Sequence, residues 1–216
     1  RDFAIHDMPV DIWIPHGTAM TPEAAANLRS LGKEVWWYHI WWEIWHSPAW
    51  ARSMTWTTLA RDYEGWLYYN GNGPWSKKQS LGDSAMTDWQ GFSVPSLQGY
   101  GTGSLVYQDK NGRMAPSMRL LNFREGMYDY DLLIGLRKLY KELEKKQSAM
   151  SWAEKDALRQ AESLLAGEFW QQQLGDFTDR PNDYAADGTC AMMMENNRRL
   201  ALSLSSVLAT LKQRLP

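Results

Sequence analysis

Two short aromatic segments, 34–40 and 65–69, flank a segment with helical spacing, and this pattern constrains the fold more than any other feature of the sequence. Each aromatic segment stays apolar without alternating with polar residues. Strands covered on both faces have this composition, and parallel sheets bury both faces. The spacing therefore predicts a β-α-β unit. Because the loops after the strands build the site in an α/β barrel, Tyr38–Trp50 and Tyr69–Trp75 are the first places to look for function.

Length and charge exclude several classes of partner. The 216 residues are enough to bury a sizeable core, and the net charge of -2 makes neither nucleic acid nor an anionic membrane surface an expected partner. No apolar run approaches a membrane span, and no signal peptide is visible. The single Cys190 cannot form an internal disulfide. Because the sequence opens on Arg1 rather than Met, the true N-terminus is expected to be missing.

Tryptophan is the informative excess in the composition. Of the 13 tryptophans, ten lie between Trp36 and Trp89. Each buried indole N–H needs a hydrogen-bond partner, so tryptophan is costly to place in a core. Two interpretations stay open: a bulky aromatic core around a barrel, or a groove lined with rings for a flat, amphipathic ligand such as a sugar.

Local signals predict most of the remaining elements. Thr21 and Gly32 bound a helix, and Ser151 with Glu154 forms a capping box. We expect strands at 10–15, 34–40, 65–69 and 104–107, helices at 22–31, 51–63, 117–146, 151–174 and 189–211, an aromatic loop at 41–50 and a turn at 109–112. The final helix is expected to bury Leu200, Leu204, Val207, Leu208 and Leu211.

Aromatic and amide side chains at or beyond the predicted strand ends are the candidate binding residues. Stacking and hydrogen bonding to a sugar in one subsite would use Tyr38, Trp42, Tyr69, Asn72 and Trp75, although half of these could equally be core. Trp75 is the strongest candidate because it follows a flexible Gly-Asn-Gly-Pro run.

Histidines add a second set of candidates on the same face. His16 and His39 end successive predicted strands and could hydrogen-bond hydroxyl groups. With His46, they lack a metal-ligand spacing, so neither a metal nor a cofactor is predicted. Glu43 is the one carboxylate in the aromatic loop, where burial would raise its pKa.

Glu125 and Asp129 lie four residues apart on a predicted helix, where like charges repel. A cation must therefore lie nearby, or one carboxyl must be protonated. Arg119 and Arg124 are the local candidates for that cation. A structural ion-pair network is the favoured interpretation, with a catalytic or metal role as the alternative.

Four ordered pieces of the chain resemble glycoside hydrolase family 123 and its relatives in the domain of unknown function 4091 superfamily. They are Gly32–Tyr38 (GKEVWWY), Gly65–Trp75, Gly101–Tyr107 and Ser117–Leu132, and the match spans roughly residues 8 to 135. The resemblance implies an α/β fold that is the C-terminal part of a (β/α)8 TIM-like barrel followed by C-terminal helices. Residues 1–147 would form the last three or so β/α units, with a long Gly-rich loop at 71–117, and residues 148–216 a helical segment on the barrel.

The same resemblance implies a glycoside hydrolase acting on a hexosaminide-type glycan, similar to exo-acting β-N-acetylgalactosaminidases. In those enzymes the 2-acetamido oxygen of the substrate is the nucleophile, an Asp orients it, and the neighbouring Glu is the general acid/base. That chemistry needs one carboxyl group protonated and another charged. A secreted or periplasmic bacterial enzyme is favoured.

The adjacent Asp-Glu pair of the family does not occur in this chain. The catalytic residues are therefore expected on the missing N-terminal part of the same barrel or on another chain, and this portion would supply a substrate-binding wall. Tyr69, Gln108 and Glu125 replace the family's usual Trp, Pro and Asp, which bears on the sugar recognised. The alternative is a non-catalytic carbohydrate-binding or structural barrel fragment.

Overall fold

The structure, a computed structural model, describes residues 9–16, 20–39, 49–68, 105–108, 113–167 and 189–215. The chain forms two compact units. The sheet unit comprises Arg1–His46, Arg61–Leu120 and Phe177–Arg180, and the helical unit comprises Ser47–Ala60, Leu121–Asp176 and Pro181–Pro216. The fold is mixed α/β, mostly helical with a small parallel sheet, as the sequence predicts at this level.

Three parallel strands form the main sheet of the sheet unit. β1 (Ile12–Trp13), β2 (Glu34–His39) and β3 (Gly65–Tyr68) lie side by side in that order. Parallel neighbours need a crossover connection, and α1 (Pro22–Ser30) and α2 (Ala49–Ala60) occupy those connections along the chain. The predicted parallel β-α-β arrangement is confirmed.

α1 begins and ends where the local signals predict. The Thr21 hydroxyl accepts a hydrogen bond from the Ala24 N–H at 3.2 Å, and Pro22 occupies the first helical position. Gly32, just beyond the helix, has a φ of +72°, a conformation that glycine adopts without the steric cost of a side chain. These short-range contacts bring the chain back into β2.

The two faces of the sheet differ in exposure. Val35 and Trp37 are fully buried, at 0% and 1%. The opposite face carries the half-buried Trp36, with Ile12 at 42% and Leu67 at 39% exposed on the neighbouring strands. Because parallel sheets are normally covered on both faces, this partly open face is the one that a further layer or a ligand can cover.

The indole of Trp36 lies across Gly65 on the neighbouring strand. A Cβ atom at position 65 would lie 2.6 Å from the ring atoms Cδ2 and Cε2 of Trp36. The indole Nε1–H donates to Glu34 Oε2 at 3.2 Å, which holds the other side of the ring. The sequence pattern assigns Gly65 only to the turn before β3, whereas the structure shows that the strand itself needs a residue without a side chain there.

A short antiparallel hairpin precedes a helix of 26 residues. β4 (Val106–Gln108) pairs with β5 (Met114–Pro116), and the Ser117 N–H donates to the Leu105 carbonyl at 2.8 Å. The predicted strand at 104–107 is confirmed with a small shift, and the predicted turn at 109–112 lies outside the described residues. β5 was not predicted, because Met-Ala-Pro contains neither a β-branched nor an aromatic residue.

Long helices build the helical unit. α3 (Met118–Leu143) leads through a 3-10 helix (Glu144–Ala149) into α4 (Trp152–Ala166), and α5 (Thr189–Arg214) follows. Buried aliphatic side chains from these helices form the core: Leu133, Leu136, Leu143, Leu158, Leu164, Met194, Leu204 and Leu208.

The capping box predicted for α4 is present. The Ser151 N–H donates to Glu154 Oε2 at 2.7 Å, and Glu154 Oε1 also binds Arg214 near the end of α5. The predicted end at Leu174 is wrong. Gly167 adopts a φ of +67° directly after Ala166, so the helix stops there.

Two further boundaries and one core assignment differ from the predictions. α2 begins at Ala49, so Trp50 lies in a helix and not in the aromatic loop, and the helix ends at Ala60 instead of Tyr63. In α5, Leu204, Leu208 and Leu211 are buried as expected, but Val207 is 42% exposed. Position 207 therefore lies toward the solvent side of the helix.

Asp129, which has no exposed surface, is the centre of an ion-pair network in the helical unit. Its Oδ2 accepts from Arg52 Nε at 2.5 Å and from the Trp56 indole N–H at 2.8 Å, while Oδ1 accepts from Arg52 Nη2 at 3.0 Å. Arg198 Nε lies 3.6 Å from Oδ1. The bidentate geometry and the third donor satisfy the buried charge.

Glu125, one turn before Asp129, is also paired. Arg124 Nη2 and Arg198 Nη1 lie 3.0 Å and 3.3 Å from its two oxygens, and hydrogen bonds from these guanidinium groups hold the pKa of Glu125 below its usual value. The prediction that cations neutralise the two carboxylates is confirmed. Arg124 was expected, but Arg52 and Arg198, which are distant in sequence, neutralise Asp129.

Replacing Asp129 tests whether this network holds the helical unit together. Asp129→Ala leaves Arg52, which is 9% exposed, without its main partner. We expect the free energy of unfolding to fall by about 3–5 kcal/mol, measured by urea denaturation followed by far-ultraviolet circular dichroism. The control Glu142→Ala breaks a half-exposed pair with Lys212 and should cost less than about 1 kcal/mol. Equal losses in the two variants would contradict the role of Asp129.

Two glycine substitutions distinguish the effect of the close contact between Trp36 and Gly65 from the effect of helix propensity. Gly65→Ala forces the Trp36 ring to move, and we expect it to cost about 1–3 kcal/mol of stability. Gly135→Ala, inside α3 with no atom within 4 Å of the added Cβ, should instead stabilise by about 0.5–1 kcal/mol. Thermal unfolding of both variants checks the prediction, and a stabilising Gly65→Ala would refute the packing of Trp36 on Gly65.

Candidate functional site

The carboxyl ends of the three parallel strands bring polar aromatic residues into two rows. His16, just after β1, bridges to Tyr38 on β2, and Tyr38 pairs with Leu67 on β3. His39 pairs with Tyr68 one residue further along. Lateral neighbours in a sheet share a face and successive residues alternate. The row of His16, Tyr38 and Leu67 therefore lies on the partly open face.

The ring of His16 contacts the ring of Tyr38. Their centroids are 5.3 Å apart with an interplanar angle of 81°, an edge-to-face arrangement that aromatic rings favour. The Tyr38 N–H donates to the Pro15 carbonyl at 3.1 Å, which fixes the backbone beside the pair. Both side chains are half-buried, so they are held in place without being closed off from solvent.

Burial lowers the pKa of His16 below its ordinary value of 6.5. The imidazole is therefore neutral at pH 7, and a neutral imidazole has one nitrogen that donates and one that accepts a hydrogen bond. Nε2 of His16 is itself buried, so the phenol of Tyr38 beside it is the group of this pair that can donate to or accept from a ligand hydroxyl.

Trp36 extends the same face toward the start of β2. Two residues before Tyr38, it alternates onto the same side of the strand, and its indole is held flat by Gly65 and Glu34. The face thus combines an indole, a phenol and an imidazole, with the exposed Leu67 beside them. Such a surface suits a ligand with an apolar face and hydroxyl groups at its rim.

Two of the six predicted substrate-binding residues fall within the described residues. Tyr38 lies in the row just defined. His39 ends β2, where it pairs with Tyr68 on β3. The remaining four lie outside the described residues: Trp42, Tyr69, Asn72 and Trp75.

The sequence indicates His16 as a candidate but does not indicate that it contacts Tyr38. It also gives no sign that Trp36 lies on the same face. The signal was the register: once β1 and β2 are aligned in parallel, His16 and Tyr38 become neighbours. The alternation of residues 34, 36 and 38 then gives the shared face.

Metal and membrane chemistry find no support in the part of the chain that is described. Residues there form no group of three or more histidine, cysteine, aspartate or glutamate side chains that could hold a metal ion. No helix among them is long and apolar enough to cross a membrane.

The lowered pKa of His16 predicts a pH-dependent contribution to stability. A histidine that resists protonation when folded contributes its full stability above about pH 6.5, and that contribution is lost as the pH falls through the lowered pKa. We expect the stability difference between wild type and His16→Gln to shrink as the pH drops below about 6.5. Urea unfolding across that range measures it, and a pH-independent difference would rule out buried His16 as the cause.

Comparison with known proteins finds no family model that matches the chain and no match among curated proteins. Function is therefore argued from the geometry and chemistry of the site itself.

Proposed function

We propose that the protein acts on a hexosaminide-type glycan as a glycoside hydrolase, with the sugar held at the carboxyl ends of β1 and β2. The observation that supports this best is the contact between His16 and Tyr38 on the partly open face of a parallel sheet. In parallel α/β folds, ligands bind beyond the carboxyl ends of the strands. The location is therefore the one at which this class of fold places its sites.

The chemistry of the face fits a pyranose ring. The C–H face of a sugar stacks on aromatic rings, and Tyr38 and Trp36 present such rings on one side of β2. Sugar hydroxyls need donors and acceptors, which the phenol of Tyr38 can supply next to the ring of His16. The resemblance adds a 2-acetamido sugar as the preferred substrate.

Hydrolysis by substrate assistance also needs a charged and a protonated carboxyl group. Glu125 and Asp129 on α3 do not suit these roles, because each is engaged by two arginines. We assign the acid/base pair to barrel residues that this sequence does not include, since the resemblance implies an adjacent Asp-Glu pair and none occurs here. This chain would then supply the wall that binds the sugar, formed by Tyr38, His39, Trp42, Tyr69, Asn72 and Trp75.

A non-catalytic carbohydrate-binding role is the second candidate. The observation that favours it is the absence of an acidic residue among the described residues at the three strand ends, which are His16, Tyr38, His39 and Tyr68. Such a set can bind a sugar but contains no carboxyl group of the kind that glycoside hydrolases use to protonate a leaving group.

Substitutions at Tyr38 test the binding site. We expect Tyr38→Ala to weaken binding of N-acetylgalactosamine about tenfold, because it removes both the stacking ring and the hydroxyl. Tyr38→Phe keeps the ring and should lose less. Titration calorimetry measures both, while turnover of an aryl N-acetyl-β-galactosaminide by the complete protein separates the hydrolase from the binding module.

Tyr128→Ala on α3 is the matched control, because the Tyr128 side chain is 54% exposed. It should change neither binding nor turnover. Binding without turnover in the complete protein would favour the second candidate. Unchanged binding in the Tyr38→Ala variant would show that the sugar does not bind at this end of the sheet.

A further inference from the structure

A small cleft in the helical unit has the features of a sugar subsite separate from the strand ends. It has a volume of about 240 Å³, and its lining combines one indole, one buried aliphatic side chain and four polar groups: Gln147, Trp152, Lys155, Leu158, Arg159 and Glu162. Pockets for drug-sized ligands hold roughly 300–1,000 Å³. The cleft therefore has room for about one sugar ring.

Trp152 is the unusual member of the lining. Its side chain is 75% exposed at the first position of α4, where a small polar residue would serve the helix equally well. The capping box already satisfies the start of this helix through Ser151 and Glu154. The indole is therefore not needed for capping, and its wide apolar face is available for stacking.

One face of α4 presents the polar groups of the cleft. Lys155, Arg159 and Glu162 follow Trp152 at steps of three, four and three residues, so all four lie on the same side of the helix. The buried Leu158, at 2% exposure, anchors that side to the core. These four side chains therefore project from a helix that packs against the core.

Neighbouring residues hold two of these groups in place. Arg159 Nη2 pairs with Asp156 Oδ1 at 2.9 Å. Tyr140 hydrogen-bonds Glu162, and burial together with that carboxylate raises the pKa of Tyr140 to about 12. The phenol therefore stays protonated and continues to donate to Glu162 at neutral pH.

The ammonium group of Lys155 favours a ligand that carries a carboxylate. The other cation of the lining, Arg159, already has its charge offset by Asp156. Lys155 makes no salt bridge to another residue in the described ranges, which leaves its ammonium group available to a ligand carboxylate.

We propose that this cleft binds the pyranose ring of a hexuronate. The ring stacks on Trp152, its carboxylate pairs with Lys155, and its hydroxyls bond to Gln147 and Glu162. The site does not depend on hydrolysis at the strand ends, so either assignment can fail without the other.

Saturation-transfer nuclear magnetic resonance on the full chain tests the proposal with methyl β-D-glucuronide and the matched neutral probe methyl β-D-glucoside. We expect the glucuronide to bind more tightly, and its binding to weaken with added salt. Trp152→Ala should weaken binding about tenfold, and Trp152→Phe should weaken it less. Lys155→Gln should reduce the preference for the glucuronide.

Met192→Ala on α5, at a side chain 66% exposed, is the control and should leave binding unchanged. Tyr38→Ala should also leave glucuronide binding unchanged, which separates this cleft from the strand-end site. No saturable binding of either glycoside, equal binding of the two, or glucuronide binding that persists unchanged in Trp152→Ala would each overturn the proposal.

Discussion

Parallel pairing of β2 with both of its neighbours is the constraint on which the candidate site depends. Backbone hydrogen bonds set the register, and the register makes His16 a neighbour of Tyr38 and Trp36 a neighbour of Gly65. A slip of one residue would turn every side chain of β2 to the other face. The buried pair Val35 and Trp37 makes such a slip unfavourable, because it would expose both of them. The burial of one face thus holds the aromatic groups of the other face in place.

The helical unit relies on a different interaction, a buried charge satisfied from three helices. Asp129 on α3 binds Arg52 and Trp56 on α2 and lies within reach of Arg198 on α5. Hydrophobic contacts tolerate sliding, whereas a bidentate ion pair with a third donor requires one arrangement of the helices. A buried pair of this kind is a better explanation of a unique arrangement than of high stability.

Elements governed by short-range chemistry could be predicted from the sequence. Thr21, Gly32 and the capping box of Ser151 and Glu154 act within a few residues, and the structure places each as expected. Gly167 shows the limit of this reasoning. The same chemistry ends α4 there, but the apolar pattern continues toward Leu174 and outweighs one glycine in a sequence window.

Contacts between distant residues could not be predicted. Arg52 and Asp129 are 77 residues apart, and nothing in their local sequence indicates that they meet. For the candidate site, the sequence predicts a location at the ends of the strands and proposes Tyr38 and His16 separately, and this stays a prediction. The pairing of Tyr38 with His16 needed the register of β1 against β2, which the composition of a two-residue strand does not encode.

The position of Trp36 on this face depends on the absence of a side chain at position 65. The indole of Trp36 occupies the volume that the side chain of any other residue would fill there. A side chain at position 65 would therefore require the ring at position 36 to move or to be replaced by a smaller one, and the width of the face beside Tyr38 would change with it.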